Sequence, residues 1–134
     1  MSKQEENRAL VEEAYAAFER GDVETINRFL DPNIEVTISD ELMNAGTWHG
    51  IDGFWQSVTS WLEAFDNYSV AVHSVDTPDD HHAIVEAHQT ATGSASGVPV
   101  ELTTYFVYRI EDRRAVRYEL HATRGAAMAA IRPE

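Results

Sequence analysis

At 134 residues, 43% of them apolar and 10% aromatic, the chain is the size of one domain with a real core and too short to divide comfortably in two. Its formal charge of -13, from 23 acidic against 10 basic residues, repels phosphate backbones and anionic lipid and speaks against nucleic-acid and membrane-surface roles. It contains no cysteine, which excludes disulfides and thiolate chemistry, and no run near the roughly 18 apolar residues that would span a bilayer.

From Glu5 to Arg20 the apolar residues Leu10, Val11, Ala14, Tyr15 and Phe18 fall on one helical stripe. Gly21 ends that helix. Asp22 caps a shorter second one, with Val23, Ile26 and Leu30 expected to face inward, and Asp31-Pro32-Asn33 reads as its closing turn. Ile34, Val36 and Ile38 alternate with Glu35, Thr37 and Ser39, the pattern of a half-buried strand.

Residues 40–50 read as a loop ending in Trp48-His49-Gly50, followed by a third helix from Ile51 to Phe65. Its wide aromatic stripe of Phe54, Trp55, Trp61 and Phe65, with Val58 and Leu62, predicts a well-covered helix. Strands are then predicted over Tyr68–Val75, His82–Thr92, Val98–Ile110 and Ala115–Thr123, joined by short turns, and a short Ala-rich helix ends the chain. Met1 to Asn7 is polar and acidic rather than basic and then apolar, so a cytoplasmic protein is expected.

The order is helix, helix, strand, helix and a four-strand meander. It predicts an α+β domain whose antiparallel sheet twists and curls around helices on one face, leaving a conical interior with one open end.

Three segments carry a family resemblance: Ala16-Ala17-Phe18-Glu19-Arg20-Gly21-Asp22, Phe29-Leu30-Asp31-Pro32-Asn33-Ile34, and Trp48-His49-Gly50-Ile51 opening the third helix. With the final hairpin from Phe106 to Leu120, the chain resembles the nuclear transport factor 2-like superfamily, in particular its SnoaL-like and ketosteroid-isomerase-like members. The match runs from about residue 7 to 123 of one domain spanning 1–134. The resemblance implies the cystatin-like cone, and it leaves function open among isomerases, dehydratases, epoxide hydrolases, polyketide cyclases and non-catalytic binding or association domains. Ketosteroid isomerases use a carboxylate base with a tyrosine and a protonated acid as oxyanion donors. Aligned on Gly21-Asp22, those three places fall on Ile38, Ala14 and near Thr104, which argues against that chemistry here.

Asp40 is the first catalytic candidate. Alternation puts it on the face of Ile34, Val36 and Ile38, where a carboxylate at an apolar rim would serve as general base. The competing reading is an exposed acid beside Glu41. His49, before the third helix, is the second: a proton shuttle at the pocket mouth, or a surface histidine bonded locally. Trp48 reads as pocket wall or as plain core.

Glu86-Ala87-His88 and Glu119-Leu120-His121 each place a carboxylate and an imidazole on one face of a strand, types that suit zinc or iron. The apolar set Val116, Tyr118 and Leu120 turns Glu119 and His121 outward, while the face of Glu86 and His88 stays open, because a one-residue slip exchanges faces. His81 and His82 are expected in a solvated turn.

The expected lining is Tyr15, Phe18, Trp55, Val58, Val85, Gln89, Leu102, Thr104, Phe106, Tyr118 and Leu120, with Tyr15, Gln89, Thr104 and Tyr118 as the polar minority that orients a ligand. The sequence holds no Ser-His-Asp constellation, Gly-rich phosphate loop, H-E-x-x-H or EF-hand pattern, so ATP, dinucleotides and calcium are unsupported. Three functions follow: a cofactor-independent isomerase, dehydratase, cyclase or hydrolase acting on a small hydrophobic molecule; a non-catalytic binder of such a molecule; or a homodimerisation module. The dimer would form through an outer sheet face bearing Thr103, Tyr105, Val107, Glu86, His88, Arg117, Glu119 and His121.

Overall fold

A computed structural model of the protein describes residues 2–42 and 45–131. Part of the segment read as a loop, Met43 and Asn44, lies outside the described residues.

The chain opens with α1 (Lys3–Glu19), started by a capping box: the Glu5 N–H donates to Ser2 Oγ at 3.1 Å and the Ser2 N–H to Glu5 Oε1 at 3.2 Å. Buried Asn7 donates from Nδ2 to the Asp80 carbonyl at 2.8 Å, which ties this helix to the far end of the sheet. Gly21 sits at φ +73°, the left-handed turn that lets the chain leave the helix. Asp22 then caps α2 (Val23–Phe29), accepting from the Thr25 N–H at 3.2 Å, as the sequence predicts.

Two expectations at this point change. Val23 is exposed, and Leu30-Asp31-Pro32-Asn33 does not form a separate turn but begins β1 (Leu30–Ile38). Pro32 has no N–H to give a ladder, and the pairing of this strand accordingly shifts register between Leu30 and Glu35. Beyond the irregularity, Ile34, Val36 and Ile38 are buried and Glu35 is exposed.

The expected loop contains a short strand, β2 (Gly46–His49), antiparallel to β1 with Trp48 opposite Val36. Four residues without clean alternation carry little sequence signal, and the pairing with β1 is what holds them extended. Next come α3 (Gly50–Glu63), β3 (Phe65–Asp76), β4 (His82–Gly93), β5 (Pro99–Glu111), β6 (Arg114–His121) and α4 (Arg124–Ala130).

The sheet order is β2-β1-β6-β5-β4-β3. The β3–β6 meander is antiparallel throughout, whereas β1 joins β6 in parallel, so the sheet is mixed. The short β2, α3 and the strands β3–β5 separate these two strands in sequence, and a connection of that length permits parallel pairing. The register of β3 against β4 breaks twice, between Asp66 and Ser69 and between Val72 and Ser74.

α1, α2 and α3 pack on one side of the sheet in a single core that includes Val11, Phe29, Phe54, Trp61, Val85 and Phe106. The tail helix α4 covers the opposite side, where Ala127 packs with Ile84 and Val107.

Candidate functional site

A cavity opens inside the cone between the three helices and the sheet. The space that the centre of a water molecule can occupy is about 100 Å³. Its floor is made by inward-facing residues of the meander, its walls by α1 and α3. A groove between α1 and β3 shares Tyr15, Phe18, Leu62, Tyr68 and Val70 with the cavity and carries Glu12 and Glu19, so acidic groups stand beside the cavity's outer wall.

Apolar side chains make up most of the lining, among them Phe18, Phe54, Val58, Phe106 and Leu120. Its polar groups are Tyr15, Ser57, Trp61, Tyr68, Gln89, Tyr108 and Tyr118. Among the described lining residues there is no Asp, Glu, His, Lys or Arg.

Two hydrogen-bonded assemblies organise these groups. Gln89 Oε1 accepts from the Trp61 indole at 2.9 Å and from the Tyr68 hydroxyl at 2.5 Å, while its Nε2 donates to Thr104 Oγ1 at 2.6 Å. Gln89 and Thr104 are both buried, so each of these bonds relieves a desolvation cost of about 1–3 kcal/mol. In the second assembly Tyr15 on α1 and Tyr108 on β5 share a hydrogen bond of 2.8 Å between hydroxyls. Tyr118 on β6 stands directly across from Tyr108 and packs edge-on against Phe54.

Burial pushes the Tyr15 and Tyr118 hydroxyls well above the usual tyrosine range and raises Tyr108 as well. Tyr68 is pushed up to about 12 by the same loss of solvent. Tyr15 and Tyr118 are raised further by nearby phenols, which marks convergence of these hydroxyls on one space. At neutral pH every one of the four is a neutral hydroxyl group. The wall can therefore give hydrogen bonds to a ligand, but it offers no ionised base.

The residues expected from the sequence divide cleanly. Tyr15, Phe18, Gln89 and Tyr118 line the cavity. Thr104 is fully buried one step behind the wall, holding Gln89. Trp55 turns away and donates from its indole to Asn27 Oδ1 at 2.7 Å, joining α3 to α2. Trp48 is half-buried between β2 and α3, so close that a β-carbon on Gly53 would lie 3.1 Å from its own. That position is helix–strand packing, not cavity wall.

Asp40 is not inward-facing. β1 ends at Ile38, so strand alternation does not extend to residue 40, and Asp40 is exposed on a turn outside the lining. His49 is also outside the lining, 73% exposed at its side chain, with Nε2 3.9 Å from Glu35 Oε2 across the β1–β2 pair.

The Glu-x-His pairs both face outward. Val85, Ala87 and Gln89 take the inner side of β4, leaving Glu86 near Arg124 at 3.8 Å and His88 bonded to Glu101 at 2.8 Å. Glu119 and His121 meet each other at 3.1 Å. Among the described residues no three His, Asp or Glu side chains converge on a common point that could hold a metal. His82 is buried rather than solvated: as the first residue of β4 it bonds Asp79 Oδ2 through Nδ1 at 2.9 Å. Val107, expected on the outer face available to a second copy, is covered by α4.

Tyr108, Tyr68 and Trp61 are cavity residues that the sequence reading did not single out as ligand contacts. The signal for Tyr108 was present, since the two-residue period of Leu102, Thr104 and Phe106 continues to it. Tyr68 lies early in β3, between Asp66 and Ser69 where the register breaks, and there that period is unreliable.

The sequence model of the SnoaL-like domain family matches residues 11–118. The chain belongs to the SnoaL-like domain family. This assigns the cone to the nuclear transport factor 2-like fold, and solved structures agree with it. An NTF2-like protein of unknown function from Burkholderia pseudomallei shares 24% identity over 99% of this chain and 100% of its own, with a TM-score of 0.77. An NTF2-like protein from Burkholderia thailandensis shares 23% over 95% and 98%, with a TM-score of 0.79. TerC, co-crystallised with polyporic acid, shares 18% over 92% and 96%, with a TM-score of 0.75. At these identities the likeness is one of fold. No curated protein sequence matches the chain. Among the described residues, no helix of this SnoaL-like domain is long and apolar enough to cross a membrane.

Proposed function

We propose that this SnoaL-like domain holds one small, uncharged, largely apolar ring compound in its cavity, and that it binds the compound without turning it over. The observation that carries this reading is the composition of the wall: aromatic and aliphatic side chains with a few neutral hydrogen-bonding groups, and no carboxylate, imidazole or cation among the described lining residues. Isomerisation, dehydration, cyclisation and hydrolysis each need a general acid or base in reach of the reacting atom, and the wall's phenols, raised further by burial, are poor at either task near neutral pH. Asp40 and His49 are the two proposed for that role, and neither side chain belongs to the wall.

The charge of the molecule supports a neutral ligand. With a net -13 and two glutamates beside the groove, an organic anion meets repulsion on approach and finds no cation inside. TerC, a protein of this fold co-crystallised with polyporic acid, supports the choice of an organic small molecule.

The test is thermal unfolding with and without a panel of ring compounds in neutral and carboxylate forms. A ligand that binds only the folded chain raises the midpoint with concentration. Stabilisation by neutral members alone is expected, with a negative heat-capacity change in calorimetry. If no member of the panel raises the midpoint, the reading fails. Stabilisation by the carboxylates instead contradicts it equally.

A further inference from the structure

The proton inventory of the cavity singles out Tyr118. The Tyr68 hydroxyl and the Trp61 N–H are both spent on Gln89, and one hydroxyl of the Tyr15–Tyr108 pair is spent on the other. The Tyr118 side chain lines the cavity at 8% exposure, and its hydroxyl has no hydrogen-bond partner among the described residues. Every sealed side-chain nitrogen or oxygen among the described residues does have one. The Tyr118 oxygen is therefore not sealed in protein but reaches the free space of the cavity.

A hydroxyl that faces the cavity loses access to water when an apolar ligand fills the space, and a ligand that supplies an acceptor avoids that cost. The surroundings fix what kind of acceptor fits. Rings of Phe54, Phe106 and Tyr108 crowd the Tyr118 ring at centroid distances of 5.5, 5.8 and 5.3 Å, so the ligand body there must be apolar. The Tyr15–Tyr108 pair keeps one uncommitted proton in the same cavity. An oxygen with two lone pairs and no charge, at the edge of a hydrocarbon ring, satisfies both conditions. A carboxylate does not, because no cation offsets its charge.

We infer that Tyr118 is the specificity-determining residue of the pocket, donating its hydroxyl proton to an uncharged oxygen acceptor at the edge of the ligand's ring. This rests on the proposed binding function and adds the ligand's functional group to it. A site built around a hydrogen bond discriminates against the analogue lacking the partner atom, since its own polar group is then left unpaired.

The experiment compares 1-indanone with indane, two probes of nearly the same shape that differ in the carbonyl. Calorimetric titration of the full chain is expected to favour 1-indanone by about threefold to tenfold, the worth of one net hydrogen bond. Tyr118→Phe keeps the ring and removes the hydroxyl that indane leaves unpaired, so it is expected to abolish the preference and bring the two probes to nearly equal affinity. An infrared measurement needs no variant: the carbonyl stretch of 1-indanone bound to the wild type is expected below its value in hexane, and to return toward it in Tyr118→Phe. Equal affinities for the two probes, or a preference and a shifted stretch that survive Tyr118→Phe, overturn the inference while the pocket stands. If neither probe binds the wild type, the inference falls together with the binding function.

Discussion

Tyr15 and Tyr108 join hydroxyls at 2.8 Å although they lie on the first helix and the third strand of the meander, 93 residues apart. The bond closes the cone where α1 lies over the sheet, and edge-on packing of Tyr15 against both Phe106 and Tyr108 holds its geometry. A double-mutant cycle of Tyr15→Phe and Tyr108→Phe should give a coupling of about 1 kcal/mol in urea unfolding. Additive effects would mean that the two hydroxyls do not interact in solution.

Gln89 is the most demanding polar residue of the cavity. Replacing it by Leu removes the acceptor of Trp61 and Tyr68 and the donor to Thr104 at once. The expected loss is about 2–4 kcal/mol, because buried groups are left unpaired and not merely unlinked. Denaturant unfolding measures it. A loss below about 1 kcal/mol would show that water enters and replaces the carboxamide.

The four cavity phenols set an alkaline limit. Their folded values lie above the usual 10.0, with Tyr68 at about 12. Between those values the unfolded chain has lost protons that the folded chain retains. The stabilisation is therefore full below about 10 and declines as pH rises through about 12. Urea unfolding across that range is expected to show a falling free energy. Tyr68→Phe should make the fall shallower. A flat profile would contradict burial of these hydroxyls.

Asp40→Asn and His49→Ala separate binding from catalysis. Both side chains are exposed and outside the cavity wall, so each change is expected to leave the affinity for 1-indanone unaltered and stability within about 0.5 kcal/mol. A large loss of affinity in either variant would bring that residue back to the ligand.

Much of this architecture was legible in the residues. The stripe of Val11, Ala14, Tyr15 and Phe18, the Asp22 cap and the meander with its turns were readable because period and turn chemistry are local signals. The parallel β1–β6 pair was not, since strand pairing across helices is decided by tertiary packing. Asp40 shows the same boundary at the site. Alternation is informative only while the strand lasts, and nothing local to Ser39 or Asp40 announces that β1 stops at Ile38. Alternation along β4 marks Gln89 as an inward polar residue, but its three partners come from a helix and two other strands, which no spacing along one segment reveals.

The most direct test of the central claim is a titration of the isotopically labelled full chain with indane, followed in nuclear magnetic resonance spectra through the Trp61 indole N–H and the Gln89 side-chain amide. A ligand in the cavity is predicted to move both signals along saturable curves with one dissociation constant. The Trp55 indole, bonded to Asn27 outside the cavity wall, should stay in place. Unmoved Trp61 and Gln89 signals at saturating indane, or changes confined to the outer sheet face around His88 and Tyr105, would contradict a ligand-binding cavity in this protein.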